Sequence, residues 1–143
     1  MSDDLDLPTL EELTENFLLF DAWEERYKYL IDLGALLPAM EEGLKNDQSL
    51  VRGCVSRVWI VSSFDEVGGL RLTADSDAHI VRGLIAIVLI AYQGKKANEI
   101  ATVDIERVFE QIGLNQHLSP NRRNGFFAMV ERVQTLSGQT NEQ

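Results

Sequence analysis

The chain has 143 residues, of which 45% are hydrophobic, a size and composition that suit one domain and argue against disorder along most of its length. Its formal charge of −10 argues against a nucleic-acid binder that works by neutralising phosphates, as does the lack of any Lys/Arg run longer than two. No apolar stretch approaches the ~18 residues of a membrane span.

The N-terminus, MSDDLDLP, lacks the basic and apolar parts of a signal peptide, so a cytoplasmic protein is expected. Cys54 is the only cysteine, which excludes an internal disulfide. Residues 1–50 hold 13 acids and three bases and carry the whole net charge, while residues 51–143 sum to zero. The acidic third is either a solvated helical surface or a face that steers a basic partner.

One domain spanning 1–143 is expected, with its ordered core at about 8–137. Thr9 and Glu12 have capping-box spacing, and Leu10, Leu13, Phe17 and Leu18 follow at helical spacing. Asp21 and Glu24 repeat the pattern for a second helix with Trp23, Tyr27, Leu30 and Ile31 as its apolar stripe, and Gly34 as its left-handed stop. Residues 41–49 are polar and read as a loop with room for one helical turn.

The period then changes. Residues 55–63 alternate and are rich in β-branched and aromatic types, which predicts a strand. Gly68-Gly69 marks a hairpin turn, and Leu70, Leu72 and Ala74 form the antiparallel return, with a short third strand open at 50–52. Asp75 and Asp77 precede the most apolar run, Ile80 to Ile90, read as a central buried helix capped by those acids. Gly83 inside it predicts close packing, with the sheet as the expected neighbour, and Gly94 ends it.

Helices are predicted at 97–101 and 104–112, the latter stopped by Gly113. Ser119-Pro120 opens a last one that ends at Gly138, before a frayed tail. The fold class is α+β, a small antiparallel sheet packed against several helices.

Cys54 follows Gly53 and stands between Arg52 and Arg57, cations that would favour a thiolate. An inert core thiol is the alternative. A single thiol cannot run a dithiol cycle or hold a Cys-rich metal site by itself, but it could serve as a hydrolase nucleophile with His79 or His117 as base, or carry a transferable sulfur. Arg122 and Arg123, in the first turn of the last helix, oppose the helix dipole. They point either to a local anion or carboxylate or to a surface pair held by neighbouring acids. Taken alone, Asp75 and Asp77 read as caps.

The runs DAWEERYKYLIDLG (21–34), GCVSRVW (53–59), ADSDAHIVRGLIAI (74–87) and HLSPNRRNG (117–125), in this order, resemble the SufE family. The resemblance spans about residues 8–136. It implies a sulfur acceptor that takes persulfide sulfur from a SufS-like cysteine desulfurase, stimulates that enzyme and serves iron–sulfur cluster assembly.

On this resemblance Cys54 is the accepting cysteine, and Ser56, Asp77 and Arg122 line the site or the partner surface. Arg123 stands at a variable position, and Arg82 stands where lysine is common. No cofactor or metal is implied for this chain, since pyridoxal phosphate belongs to the desulfurase. The implied partners are that enzyme and an iron–sulfur scaffold complex, with no nucleic acid and no membrane, and homodimerisation is left open. A SufE-like paralogue serving a second desulfurase system shares the same motifs. A pure adaptor that stimulates without carrying sulfur, and a cysteine hydrolase, are the other readings.

Overall fold

The computed structural model describes residues 7–51 and 56–141, with side chains described to residue 136. Helices α1 (Leu10–Leu19) and α2 (Trp23–Ala35) are followed by a 3-10 turn at Glu42–Leu44 and by strands β1 (Val58–Phe64) and β2 (Leu70–Ser76). Then come α3 (His79–Tyr92), α4 (Ala97–Ile100), α5 (Ile105–Gln111), α6 (Leu114–His117) and α7 (Pro120–Asn141).

Thr9 and Glu12 form the expected capping box on α1. The second predicted cap is not made. α2 starts one residue later, with Ala22 as an N-cap that offers no side-chain acceptor. The stripe of α2 is also shifted: Leu30, Leu33 and Gly34 are buried, while Ile31 is 41% exposed.

Gly34 is not a left-handed stop but lies within α2, where a Cβ would sit 2.7 Å from Gly83 N and 2.9 Å from Arg82 C. Gly83 does pack closely, yet against α2 rather than the sheet, because a Cβ there would meet the backbone carbonyl of Leu30. The two glycines let α2 and α3 cross backbone to backbone. Between its exposed neighbours, α3 is buried almost all round, as its composition requires.

β1 and β2 pair antiparallel from Val58↔Ser76 to Phe64↔Leu70. Their turn is held by Asp65, whose carboxylate accepts from the N–H groups of Val67 (3.0 Å) and Gly69 (2.8 Å), while Gly68 takes φ +88. Leu70, Leu72, Ala74 and Ser76 face inward.

Both edges of this ribbon are covered. On the β2 side Gly94 N–H donates to Leu70 O (2.7 Å), Leu70 N–H to Lys95 O (2.9 Å), and the Gln93 amide bonds both backbone groups of Leu72. On the β1 side residues 49–51 run antiparallel: Ile60 N–H donates to Ser49 O and Val51 N–H to Val58 O, each at 2.8 Å, around a bridge between Leu50 and Trp59. This is the short third strand, reduced to one bridge among the described residues. The predicted strand position Val55 lies outside them.

Gly94 (φ +80) and Gly113 (φ +80) follow α3 and α5 as expected. Asp104 caps α5 by accepting from Arg107 N–H, and Ser119 Oγ caps α7 by accepting from Arg122 N–H. The short α6 was not foreseen. α7 continues through Gly138 to Asn141, so that glycine does not end the helix and the tail is helical further than its polarity suggests. Phe109 stacks on Phe126 at 4.6 Å between ring centres and meets Phe127 edge-on, which binds α5 to α7.

Candidate functional site

The N-terminal half of α7 and the first turns of α3 enclose a cavity of about 400 Å³. Val81 and Leu84 of α3 and Gly125, Phe126 and Met129 of α7 supply its apolar wall. Ser119, Asn121, Arg122 and Ser56 supply the polar one. The α7 contributors recur at helical spacing, so one face of that helix builds the wall.

Ser56 and Arg122, two of the site residues that the resemblance implies, are thus brought together. Cys54 lies outside the described residues, and the chain reaches Ser56 two residues after it.

Asp77 does not line this cavity. Its carboxylate accepts from Arg57 N–H (3.1 Å), and its own N–H donates to Arg57 O (3.3 Å), a reciprocal pair that fixes the chain just downstream of Ser56. Asp77 is therefore not a helix cap: Ala78 holds that position on α3 without a side-chain bond.

Asp75 is not a cap either. It lies on β2 between two cations, 3.0 Å from Lys45 Nζ and 3.1 Å from Arg82 Nε. The Lys45 ammonium also sits 5.3 Å over the Trp59 ring, and its pKa is raised, chiefly by the hydrogen bond to Asp75.

The two arginines of α7 separate in role. Arg123 reaches back to donate to Asn115 O (3.0 Å) on α6, so its partner is a helix carbonyl rather than an anion or an acid. The Arg122 guanidinium has no hydrogen bond or ion pair among the described residues and stands at the cavity, beside the capped N-terminus of α7. A guanidinium in such a position can pair with an anion of sulfur or oxygen.

Neither histidine lines the cavity. His117 stacks on Trp23 at 4.1 Å, and His79 is exposed on the first turn of α3. Among the described residues no group of three or more His, Cys, Asp or Glu is placed to hold a metal ion, and no helix is long and apolar enough to cross a membrane.

Sequence reasoning missed Arg132. Its guanidinium donates to Gln48 O (2.6 Å) and Leu50 O (3.2 Å), far away in sequence. No local pattern marks such a contact.

Residues 11–137 match the SufE family model, described as an Fe-S metabolism associated domain. An uncharacterized SufE-like protein of Rhizobium etli is 44% identical over 130 residues, covering 89% of this chain and 88% of its own. Another, from Rhizobium meliloti, is 42% identical over 132 residues, covering 90% and 94%. A solution structure of a hypothetical protein from Thermus thermophilus matches with a TM-score of 0.77 over 96% of this chain and 98% of that one. Its 19% identity makes it a likeness of fold.

Proposed function

The chain belongs to the SufE family, and from that membership we propose that it is a sulfur acceptor which takes persulfide sulfur from a cysteine desulfurase onto Cys54. The Cys54 thiolate attacks the outer sulfur of the donor's cysteine persulfide. A sulfur–sulfur bond forms at Cys54, the donor's sulfur–sulfur bond breaks, and the donor cysteine leaves as a thiolate, with no net electron transfer. The sulfur then passes to an iron–sulfur scaffold. Clearing the donor's persulfide speeds its turnover, so the acceptor also acts as an activator without independent turnover. Pyridoxal phosphate is the desulfurase's cofactor, and the exchange takes place in the cytoplasm.

One observation carries this reading. Ser56, two residues beyond Cys54, shares its cavity with an Arg122 guanidinium that has no partner among the described residues. A cation on that wall favours the anionic forms of sulfur that reach it, both an attacking thiolate and a terminal persulfide. The reciprocal Asp77–Arg57 pair holds the downstream end of the Cys54 segment in place.

The test is intact-mass measurement without reductant, after incubation with the desulfurase and free cysteine. The parent protein gains the mass of one sulfur atom. Cys54→Ser gains none and keeps its circular dichroism and thermal midpoint. Full acceptance by Cys54→Ser overturns the assignment, and a persistent stimulation of the desulfurase by that variant indicates an adaptor instead. Pull-down against the two candidate desulfurases identifies the donor.

A further inference from the structure

We infer that the groove between the start of α5 and one side of α7 docks an amphipathic, cation-bearing helix of a partner protein; the inference goes beyond the sulfur-acceptor reading and does not depend on it. The groove measures about 630 Å³. Asn124, Phe127, Ala128, Glu131 and Gln134 recur at helical spacing, so they share one side of α7. The cavity that holds Arg122 is lined from another side of the same helix, by Arg122, Phe126 and Met129. The two sites therefore do not compete for wall.

The floor of the groove is apolar. Val103 and Ala128 are half-buried, and so is Phe127, whose ring meets Phe109 and Phe126 edge-on and is held in one orientation by them. A half-buried aromatic ring in a fixed pose is a common anchor of protein interfaces.

The banks are acidic. Asp104 and Glu106 stand on the α5 side and Glu131 on the α7 side, all three exposed, and no cation lines the groove among the described residues. None of the three carboxylates is in an ion pair among those residues. One oxygen of Asp104 is engaged, by the Arg107 N–H. Residues 51–143 are neutral as a whole, so three acids without a base are a local concentration.

Floor and banks together choose the occupant. An apolar ridge fits the floor, and Lys or Arg on either side of that ridge answers both banks. The banks offer no strand edge, because α5 and α7 pair their backbone groups internally. An extended chain would find no backbone partner there, so the occupant must satisfy its own backbone, as a helix does. From Asn124 to Gln134 the axis of α7 rises about 15 Å, room for about three turns of a docked helix. A second copy of this chain is opposed by charge. α1, with exposed Leu18 and Leu19, carries Glu11, Glu12 and Glu15 and no base, and α2, with exposed Ile31, is acidic on balance.

The probe is an end-capped helical peptide of Leu, Lys and Ala, about three turns long, with Leu at every third or fourth position. The same peptide with Glu in place of Lys is its counterpart. Each is titrated into the isotope-labelled protein while backbone amide shifts are followed by NMR. Shifts from the Lys peptide concentrate at residues 103–106 and 124–134, and the Glu peptide binds at least about tenfold more weakly. Glu131→Lys and Glu106→Lys each weaken the Lys peptide about threefold to tenfold, the weight of one exposed ion pair turned into a repulsion, while Glu15→Lys on α1 stays within about twofold. All three positions are exposed, and circular dichroism checks that each variant is folded; if one bank variant fails to fold, the other decides.

Shifts centred on α1 and α2, a Glu peptide that binds as well as the Lys peptide, or no saturable shift up to about 1 mM peptide each overturn the inference. So does a loss on Glu15→Lys equal to that on the bank variants. Sedimentation of the protein alone as a dimer that Glu131→Lys or Glu106→Lys alters also overturns it, because a second copy then fills the groove.

Discussion

Replacing Gly83 with alanine puts a methyl group into the tightest contact between α2 and α3. The new Cβ would lie 2.7 Å from Leu30 Cγ and 2.8 Å from Leu30 C, and closer still to the Leu30 carbonyl oxygen. Carbon atoms in ordinary contact stand about 3.5–4.0 Å apart, so the helices must part by about 1 Å. Two of the three obstructing atoms are backbone atoms of an α-helix, which cannot rotate away as a side chain can.

Overpacking of this kind costs about 1–3 kcal/mol, and backbone obstruction places it near the upper end. Alanine returns about 1 kcal/mol through its better helix propensity. The net expectation is a loss of about 2 kcal/mol, or a thermal midpoint lower by about 6–8 °C for a chain of this size.

Urea unfolding followed by circular dichroism, with the fluorescence of Trp23 and Trp59, measures it. Gly43→Ala is the control, since nothing lies within 4 Å of a Cβ there, and it should change stability by less than about 0.5 kcal/mol. If Gly83→Ala proves as stable as Gly43→Ala, the backbone-to-backbone crossing is not as close as described.

Two pH-dependent expectations follow from the sheet. Hydrogen bonds from the Gly69 and Val67 N–H groups and the nearby Arg71 hold the Asp65 carboxyl below its ordinary 3.8, so its contribution to the hairpin is complete above 3.8 and disappears as pH falls through the lower folded value. An NMR titration of its side-chain carbonyl should give a midpoint below 3.8, and a midpoint at or above that value refutes the Asx-type turn. Lys45 behaves in the opposite sense: its pKa is raised above 10.5, first by the Asp75 hydrogen bond, so its contribution is complete below 10.5 and is lost as pH rises through the folded value. The stability gap between the parent and Lys45→Met should narrow above pH 10.5, and a gap that widens there contradicts the pairing.

Elements whose causes are local could be read from the residues alone. The Thr9–Glu12 box, the Gly-Gly hairpin, the Ser119-Pro120 start and the largely apolar α3 each depend on neighbours a few positions away. Where the cause is tertiary, local spacing misleads. Gly34 has the spacing of a helix stop, but it serves a helix crossing, and only the position of Gly83 on another helix makes that visible. Asp75 and Asp77 have the spacing of caps, yet one answers Lys45 and Arg82 and the other answers a backbone N–H twenty residues away.

The candidate site divides along the same line. Ser56, Asp77 and Arg122 came from motif resemblance, since no single-residue pattern distinguishes them. That Ser56 and Arg122 share a cavity while Asp77 fastens the chain beside it is a matter of fold.

The sequence between Val51 and Val58 has to satisfy two demands that conflict. On the proposed sulfur-acceptor reading, the Cys54 thiol must meet a donor and then a recipient. It must also return to one place, since a persulfide that wanders is exposed to every other thiol in the cell. The described residues on either side are fastened to different elements: Leu50 and Val51 to α7 and β1 upstream, and Arg57 to Asp77 downstream. Side chains make two of these attachments. Each can therefore be weakened by one substitution without cutting a strand or a helix, so these attachments can be tuned separately from the stability of the core.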